Sequence, residues 1–305
     1  MSIDIIGPEA EAHLDWHGLM EAFREGHRLP KAEIGDTLLY RGEDTLLSRA
    51  AWIDGVGSLV KTANIFPGNP GIGKPLILGA VNVYSDMDGS LLALVDFELV
   101  TKWKTAGGSL LGAMQLARED SETILIVGAG AVGHSLRQAY GALFPDARFL
   151  IWNRTTSKAE EFAAAYPGTE VAPDLETAVR MADIVTSATM VTEPILNGEW
   201  FQPGQHIDII GAYRPDMREV NDAAITRSSI HVDSRDTTIG HIGEIQNPID
   251  RGLISEADIL SDFYDLDAGR MTRRSQDEIT LFKNGGGAHL DLMTSRYILD
   301  AWQAR

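Results

Sequence analysis

One stretch, Thr123–Arg154, constrains the fold more than any other part of the chain. Ile124-Leu125-Ile126-Val127 is a short apolar run, β-branched enough for a fully buried parallel strand. It empties into Gly128-Ala129-Gly130-Ala131-Val132-Gly133, a complete G-x-G-x-x-G, followed by a helical pattern from His134 to Leu143. A second apolar run, Phe149-Leu150-Ile151-Trp152, comes next. Glycine at 128 permits the tight turn, glycine at 130 lets the backbone approach a pyrophosphate, and glycine at 133 allows close helix–strand packing. The helix N-terminus at Ala131 and Val132 then offers free N–H groups to the phosphates. A glycine-rich loop alone also occurs as an ordinary turn. Here strand, glycines, helix and strand follow in the order a dinucleotide site requires.

The residue closing the second strand bears on which dinucleotide is bound. Asn153 lies 20 positions past Gly133, where an NAD site usually places an acid on the ribose 2′-hydroxyl. Asn153, Arg154 and Thr155 instead offer donors and one cation, which suits a 2′-phosphate and favours NADP(H) over NAD(H). The alternative for Arg154 is a solvated surface charge.

At 305 residues the chain is long for one core and suits two domains. Its 26 basic against 44 acidic residues give a net charge of −18, which argues against nucleic acid or an anionic membrane as partner. An anionic substrate would need local cations inside a cleft. With no cysteine there is no disulfide, thiolate metal site or thiol nucleophile. His13, His17 and His27 lack neighbours at ligand spacing, so no metal is expected. The start Met1-Ser2-Ile3-Asp4 does not read as a signal peptide and no apolar run approaches a membrane span, so a cytoplasmic protein is expected.

The first hundred residues read as an amphipathic helix (Asp15–His27) and antiparallel strands at Asp36–Tyr40, Thr45–Ile53, Gly57–Phe66, Leu76–Tyr84 and Ser90–Asp96. Asp88-Gly89 is a strong hairpin signal. A helix follows over Leu99–Arg118, with Gly107-Gly108 suggesting close approach by backbone or ligand. After Thr155 the α/β alternation continues, and Ile184–Thr189 is a strand whose small polar end, Ser187-Ala188-Thr189, suits a nicotinamide ribose. Gly211–Tyr213 is a second candidate cleft wall at a strand end. Thr280–Lys283 reads as a strand, Gly285-Gly286-Gly287 as a flexible link, and Ala288–Trp302 as a closing helix. With Arg118–Ser121 read as the first boundary and Arg270–Thr272 as the return crossing, a Rossmann-type doubly wound domain is expected at 119–272. An α+β antiparallel-sheet domain is then made from 1–118 plus 273–305.

Four segments resemble the ornithine cyclodeaminase/μ-crystallin family: Leu99–Ala106, Ile124–Gly133, Gly211–Glu219 and Glu278–Lys283. The likeness runs from about Leu39 to Asp291. It implies a Rossmann domain inserted into a substrate and dimerisation domain, hence a homodimer. It also implies that Lys61 sits over the nicotinamide and touches substrate, and that Lys283 and Asn284 border the nicotinamide. Lys104 stands where most members carry the arginine that binds the substrate carboxylate. Lysine keeps the charge but loses the two-pronged fork, and Arg49 is the candidate to share the task. At the turn where cyclodeaminases have a catalytic Asp, this chain has Tyr213, with Asp216 three residues on. The run Arg214–Glu219 is more similar to the μ-crystallin and ketimine-reductase branch.

The expected chemistry is therefore NAD(P)H-dependent reduction of a small α-imino acid. Lys61 would supply or hold the proton on nitrogen, and Lys104 and Arg49 would grip the carboxylate. Two other readings stand beside it. One is an ornithine cyclodeaminase-type lyase with catalytic NAD, Asp216 serving as the carboxylate, and the other a non-catalytic NADPH-binding protein. Each residue also has a plainer reading: Lys61 an outward-facing strand lysine, Lys104 a solvated helix charge, Arg49 a structural ion pair. Thr105 either donates to the cofactor pyrophosphate or bonds back to its helix.

Overall fold

The computed structural model describes residues 3–305, which form two compact units. One runs to Lys104 and resumes over Gly287–Arg305; the other is Thr105–Gly286. In chain order the first contains β1 (Asp4–Ile6), α1 (Trp16–Arg28), β2 (Glu33–Arg41), β3 (Asp44–Ile53), β4 (Gly57–Ile65), β5 (Ile77–Tyr84) and β6 (Leu91–Asp96). Helix α2 (Phe97–Leu116) starts there and ends in the second unit.

Strands β2 to β6 form antiparallel neighbours in the order β6-β5-β4-β3-β2, and β1 adds a parallel edge beside β6. The Asp88-Gly89 turn is present, with Gly89 at φ +71°, a backbone angle that glycine adopts without a Cβ penalty. Helix α1 is capped by Asp15, whose carboxylate accepts from Gly18 N at 2.8 Å, and it buries Leu19, Met20 and Phe23. Burying each of these side chains contributes about 1.5–3 kcal/mol.

The second unit continues with β7 (Thr123–Val127), α3 (Ala131–Leu143), β8 (Arg148–Trp152), α4 (Thr156–Ala165), β9 (Thr169–Val171), α5 (Leu175–Met181), β10 (Ile184–Ser187) and β11 (His206–Ile209). Then come α6 (Asp222–Arg227), β12 (Ser229–Val232), α7 (Arg235–Thr238), α8 (Gly243–Asp250), β13 (Ile259–Ser261) and β14 (Thr280–Lys283). Helix α9 (Ala288–Gln303) closes the first unit. The eight strands form one parallel sheet in the order β13-β12-β14-β11-β10-β7-β8-β9. Strand order reverses beside β7, the crevice where open α/β sheets bind ligands. Leu125, Val127, Val185, Ile207, Ile209 and Leu281 belong to one buried cluster, which explains why these strands read as near-continuous apolar runs.

Two expectations need correcting. The boundaries at 118/119 and 272/273 move to 104/105 and 286/287. The reason is that β14 is not a strand of the first unit: it pairs with β11 and β12 in the middle of the parallel sheet. The later part of α2 lies against it, with Gly112 facing the Phe282 ring. The glycine triplet is also not a loose link, because Asp233 accepts from Gly285 N at 2.9 Å and Gly286 N at 2.7 Å. Ile259–Ser261 forms β13 at the sheet edge.

Candidate active site

In the first unit, β3, β4, α2 and α9 bring three cations to one carboxylate. Arg49 and Lys61 are cross-strand partners on β3 and β4. Lys61 Nζ lies 2.8 Å from Asp291 Oδ1, Lys104 Nζ 3.4 Å from Asp291 Oδ2, and Arg49 3.6 Å from the same oxygen. Arg49 also pairs with Asp36 at 2.7 Å. Asp291, Lys61 and Lys104 are all buried. The plainer readings of the two lysines as solvent-facing charges are thereby set aside.

Lys61 is held tightly. Nζ donates to Thr101 Oγ1 at 2.7 Å, and that hydroxyl gives its own proton to Phe97 O, so it can only accept from the ammonium. The Phe97 ring stands 4.6 Å from Nζ, a cation–π contact. Of three ammonium protons, Thr101 and Asp291 take two and one is left. Burial pulls the Lys61 pKa down, and Asp291 pulls it back up. Burial pushes the Asp291 carboxyl up, but Lys104, Lys61 and Arg49 outweigh it and hold the group at about 2.

Asp291 is the residue that sequence reasoning missed. It sits in the first turn of α9 among Ala288, Leu290, Leu292 and Met293, all buried. An acid inside the apolar stripe of a helix was the available signal, since such a group is rarely buried without a partner.

In the second unit, the glycine turn has the geometry a dinucleotide needs. Gly128 is at φ +108°, and a side chain there would meet Ala188 O. A Cβ on Gly133 would collide with Gly128 O, whereas one on Gly130 would meet nothing within 4 Å. Gly130 caps α3, so the N–H groups of Ala131, Val132 and Gly133 open the helix. Asn153 Oδ1 accepts from Ala129 N at 3.2 Å and Nδ2 donates to Thr155 O at 3.0 Å. This side chain therefore ties the turn to the end of β8, and Arg154 and Thr155 are the exposed groups beside it.

Other expected positions are engaged differently from their sequence reading. The Ser187 and Thr189 hydroxyls donate to Glu219 Oε1 at 2.6 and 2.7 Å, as does Thr189 N at 2.8 Å. Glu219, buried, thus binds the end of β10 together, and Ala188 lies between the two bonded residues. Thr105 contributes its carbonyl rather than its hydroxyl, accepting from Asn284 Nδ2 at 2.9 Å. Tyr213 is exposed, and both oxygens of Asp216 are taken by Arg214 at 2.9 and 3.0 Å. Asp216 is thus held at the surface by Arg214, outside the buried Asp291 cluster's set of partners. Lys283 is fully buried, donating to Ile209 O at 3.2 Å, its pKa lowered by burial against the pull of Glu219, Glu244, Asp233 and Asp208. Among the described residues no cluster of His, Cys, Asp and Glu is arranged for a metal, and no helix is long and apolar enough to cross a membrane.

Comparison with known proteins adds to this geometry. A model of the ornithine cyclodeaminase/mu-crystallin family matches residues 54–305. The Delta(1)-pyrroline-2-carboxylate reductase of Paracoccus denitrificans (strain Pd 1222) is 48% identical over 296 residues, 95% of this chain and 94% of its own length. The ketimine reductase mu-crystallin of Mus musculus is 32% identical over 245 residues, 80% of this chain and 76% of its own. Among solved structures, Thermococcus litoralis Delta(1)-pyrroline-2-carboxylate reductase in complex with NADH and L-proline superposes with a TM-score of 0.91. It has 23% identity and covers 99% of this chain and 98% of that one, a likeness of fold.

Proposed function

The chain belongs to the ornithine cyclodeaminase/mu-crystallin family, and from that premise we propose that it reduces Δ1-pyrroline-2-carboxylate to proline, gripping the substrate carboxylate with Arg49 and Lys104 and holding a proton with Lys61. It is an oxidoreductase acting on C–N bonds, an imine reductase that uses a nicotinamide cofactor. The gathering of three cations around one buried Asp carries the substrate proposal. Three positive charges against Asp291 and Asp36 leave one in excess, which a small carboxylate completes.

When bound, the cofactor supplies a hydride from nicotinamide C4 to the imine carbon. The chain does the rest. Arg49 and Lys104 fix the carboxylate and with it the face of the C=N bond presented for reduction. Lys61 has one N–H left after Thr101 and Asp291, and it holds a proton near the imine nitrogen, which must be protonated to make the carbon electrophilic. In the second unit, Gly128, Gly130 and Gly133 with the start of α3 hold the pyrophosphate.

A preference for NADPH is supported by the exposed Arg154 and Thr155 at the end of β8, where no acid stands. A homodimer is supported by exposed Leu38, Leu39 and Tyr40 on β2, an edge strand open along nearly its whole length. A cytoplasmic location fits the absence of cysteine.

The test is oxidation of NADPH and NADH over cyclic imino acids, acyclic imines formed from 2-oxo acids and amines, and, in parallel, ornithine with NAD+. Turnover is expected with Δ1-pyrroline-2-carboxylate and faster with NADPH. Ammonia release from ornithine with no net change in NADH, and no imine reduction, would overturn the proposal in favour of a lyase.

A further inference from the structure

Helix α2 carries Phe97, Thr101 and Lys104 at i, i+4 and i+7, one stripe along its first two turns. Each of the three reaches the cation cluster. Lys104 pairs with Asp291, Thr101 accepts from Lys61 Nζ at 2.7 Å, and the Phe97 ring stands 4.6 Å from the same nitrogen. The ring finds room beside β5 because residue 79 is glycine: a Cβ there would stand 2.6 Å from Phe97 Cδ2.

The Thr101 hydroxyl has no choice of role. An ammonium has donors and no acceptor, so Oγ1 can only accept from it. Its own proton is spent on Phe97 O at 2.7 Å, the carbonyl one turn earlier. The same holds once Lys61 is neutral. The amine keeps two N–H groups, one for Thr101 and one for Asp291 Oδ1 at 2.8 Å, and its lone pair takes the remaining tetrahedral position. A hydroxyl free to turn would donate to that lone pair and quench it. The bond back to Phe97 O prevents this.

We infer that Thr101 is a positioning residue for proton transfer: locked as an acceptor, it leaves one N–H of Lys61, and always the same one, for the imine nitrogen. This rests on the reading that Lys61 protonates the imine. In the transfer that N–H bond breaks, its electron pair stays on Nζ, and the proton forms the N–H bond of an iminium, whose carbon then accepts the hydride. Asp291 and Thr101 keep the other two N–H groups throughout, so the lysine gives up its proton without losing either partner. The ammonium is the stronger donor, so the bond to Thr101 also favours the charged form. The charged and titratable groups around Lys61 are Asp291 on α9, Arg49 on β3 with its partner Asp36, and Lys104 on α2, with His289 of α9 in the field of Lys104. Asp291 is held at about 2 and burial pushes His289 down to about 3, so neither changes charge near neutral pH.

The experiment compares Thr101→Val, which keeps the shape and removes the hydroxyl, with Thr101→Ser, which keeps the hydroxyl. Two readouts are taken. One is the pH dependence of NADPH-driven reduction of Δ1-pyrroline-2-carboxylate, and the other the NMR titration of the Lys61 Cε signal in lysine-labelled protein, assigned by its absence in Lys61→Arg. In Thr101→Val, kcat is expected to fall on the order of tenfold with KM little changed, since Arg49 and Lys104 still hold the carboxylate. The basic limb of kcat/KM and the Cε titration should both move to lower pH, by about one pH unit. Thr101→Ser should restore kcat, limb and titration together. Should Thr101→Val not fold, Thr101→Ala carries the same comparison. Wild-type behaviour of Thr101→Val, a loss of kcat with limb and titration unmoved, or Thr101→Ser behaving as Thr101→Val each overturns the inference. Wild-type turnover in Lys61→Ala would instead overturn the parent reading and this inference with it, whereas an inactive Lys61→Ala beside an unaffected Thr101→Val sinks this inference alone.

Discussion

At the scale of single residues, Asp291 decides what the three cations around it can do. A fully buried carboxylate with a pKa held at about 2 is ionised at any working pH, so it fixes Lys61, Lys104 and Arg49 in place. Because its folded pKa lies below the free value of 3.8, the stability it contributes is present above about pH 4 and is lost as pH falls toward 2. Asp291→Asn leaves buried cations uncompensated, and breaking such a pair typically costs about 3–5 kcal/mol. That loss should be seen at neutral pH as a lower urea midpoint, and the variant should lose the wild-type destabilisation between pH 4 and 2. The same substitution removes the group that pulls the Lys61 pKa up, so the basic limb of the kcat/KM profile is expected to move to lower pH. An unmoved limb would mean that the ionisation seen in the profile is not that of Lys61.

At the scale of elements, the glycine turn separates a binding role from a packing role. Gly130→Ala adds a methyl that meets no protein atom within 4 Å, so the melting temperature should hold while the dissociation constant for NADPH rises at least about tenfold. Gly133→Ala collides with Gly128 O and should lower both stability and binding. Equal behaviour of the two variants in melting and titration would contradict that division. This turn was legible in the sequence because its glycines, strand and helix are neighbours in the chain. The antiparallel hairpins were legible for the same reason, as short loops such as Asp88-Gly89 fix their pairing. Strand β14 was legible as a strand but not in its place: nothing local tells Thr280–Lys283 that it pairs with β11 and β12. The Asp291 cluster was hidden likewise, because Lys61 and Asp291 are 230 residues apart and only folding brings them to 2.8 Å. Lys61 and Lys104 were named through family likeness and Arg49 as the candidate to share the carboxylate, since alternation and helix position alone left the lysines as surface charges and Arg49 as a structural ion pair.

At the scale of the whole molecule, two units divide the work, a cation cluster in one and a glycine turn in the other. The proposed homodimer would pair through the exposed apolar edge of β2, and Leu39→Glu is then expected to lower the mass measured by light scattering from dimer to monomer. An unchanged mass would place the interface elsewhere. Against the net charge of −18, the local positive cluster is where an anionic substrate would find its counter-charge under the proposed function. The most direct measurement is turnover of Δ1-pyrroline-2-carboxylate by Lys61→Ala, paired with NADPH titration of the same variant. A fall in kcat/KM of about 10²–10⁴-fold with NADPH affinity unchanged is the expected result. Wild-type turnover in that variant would contradict the proposed role of the cation cluster.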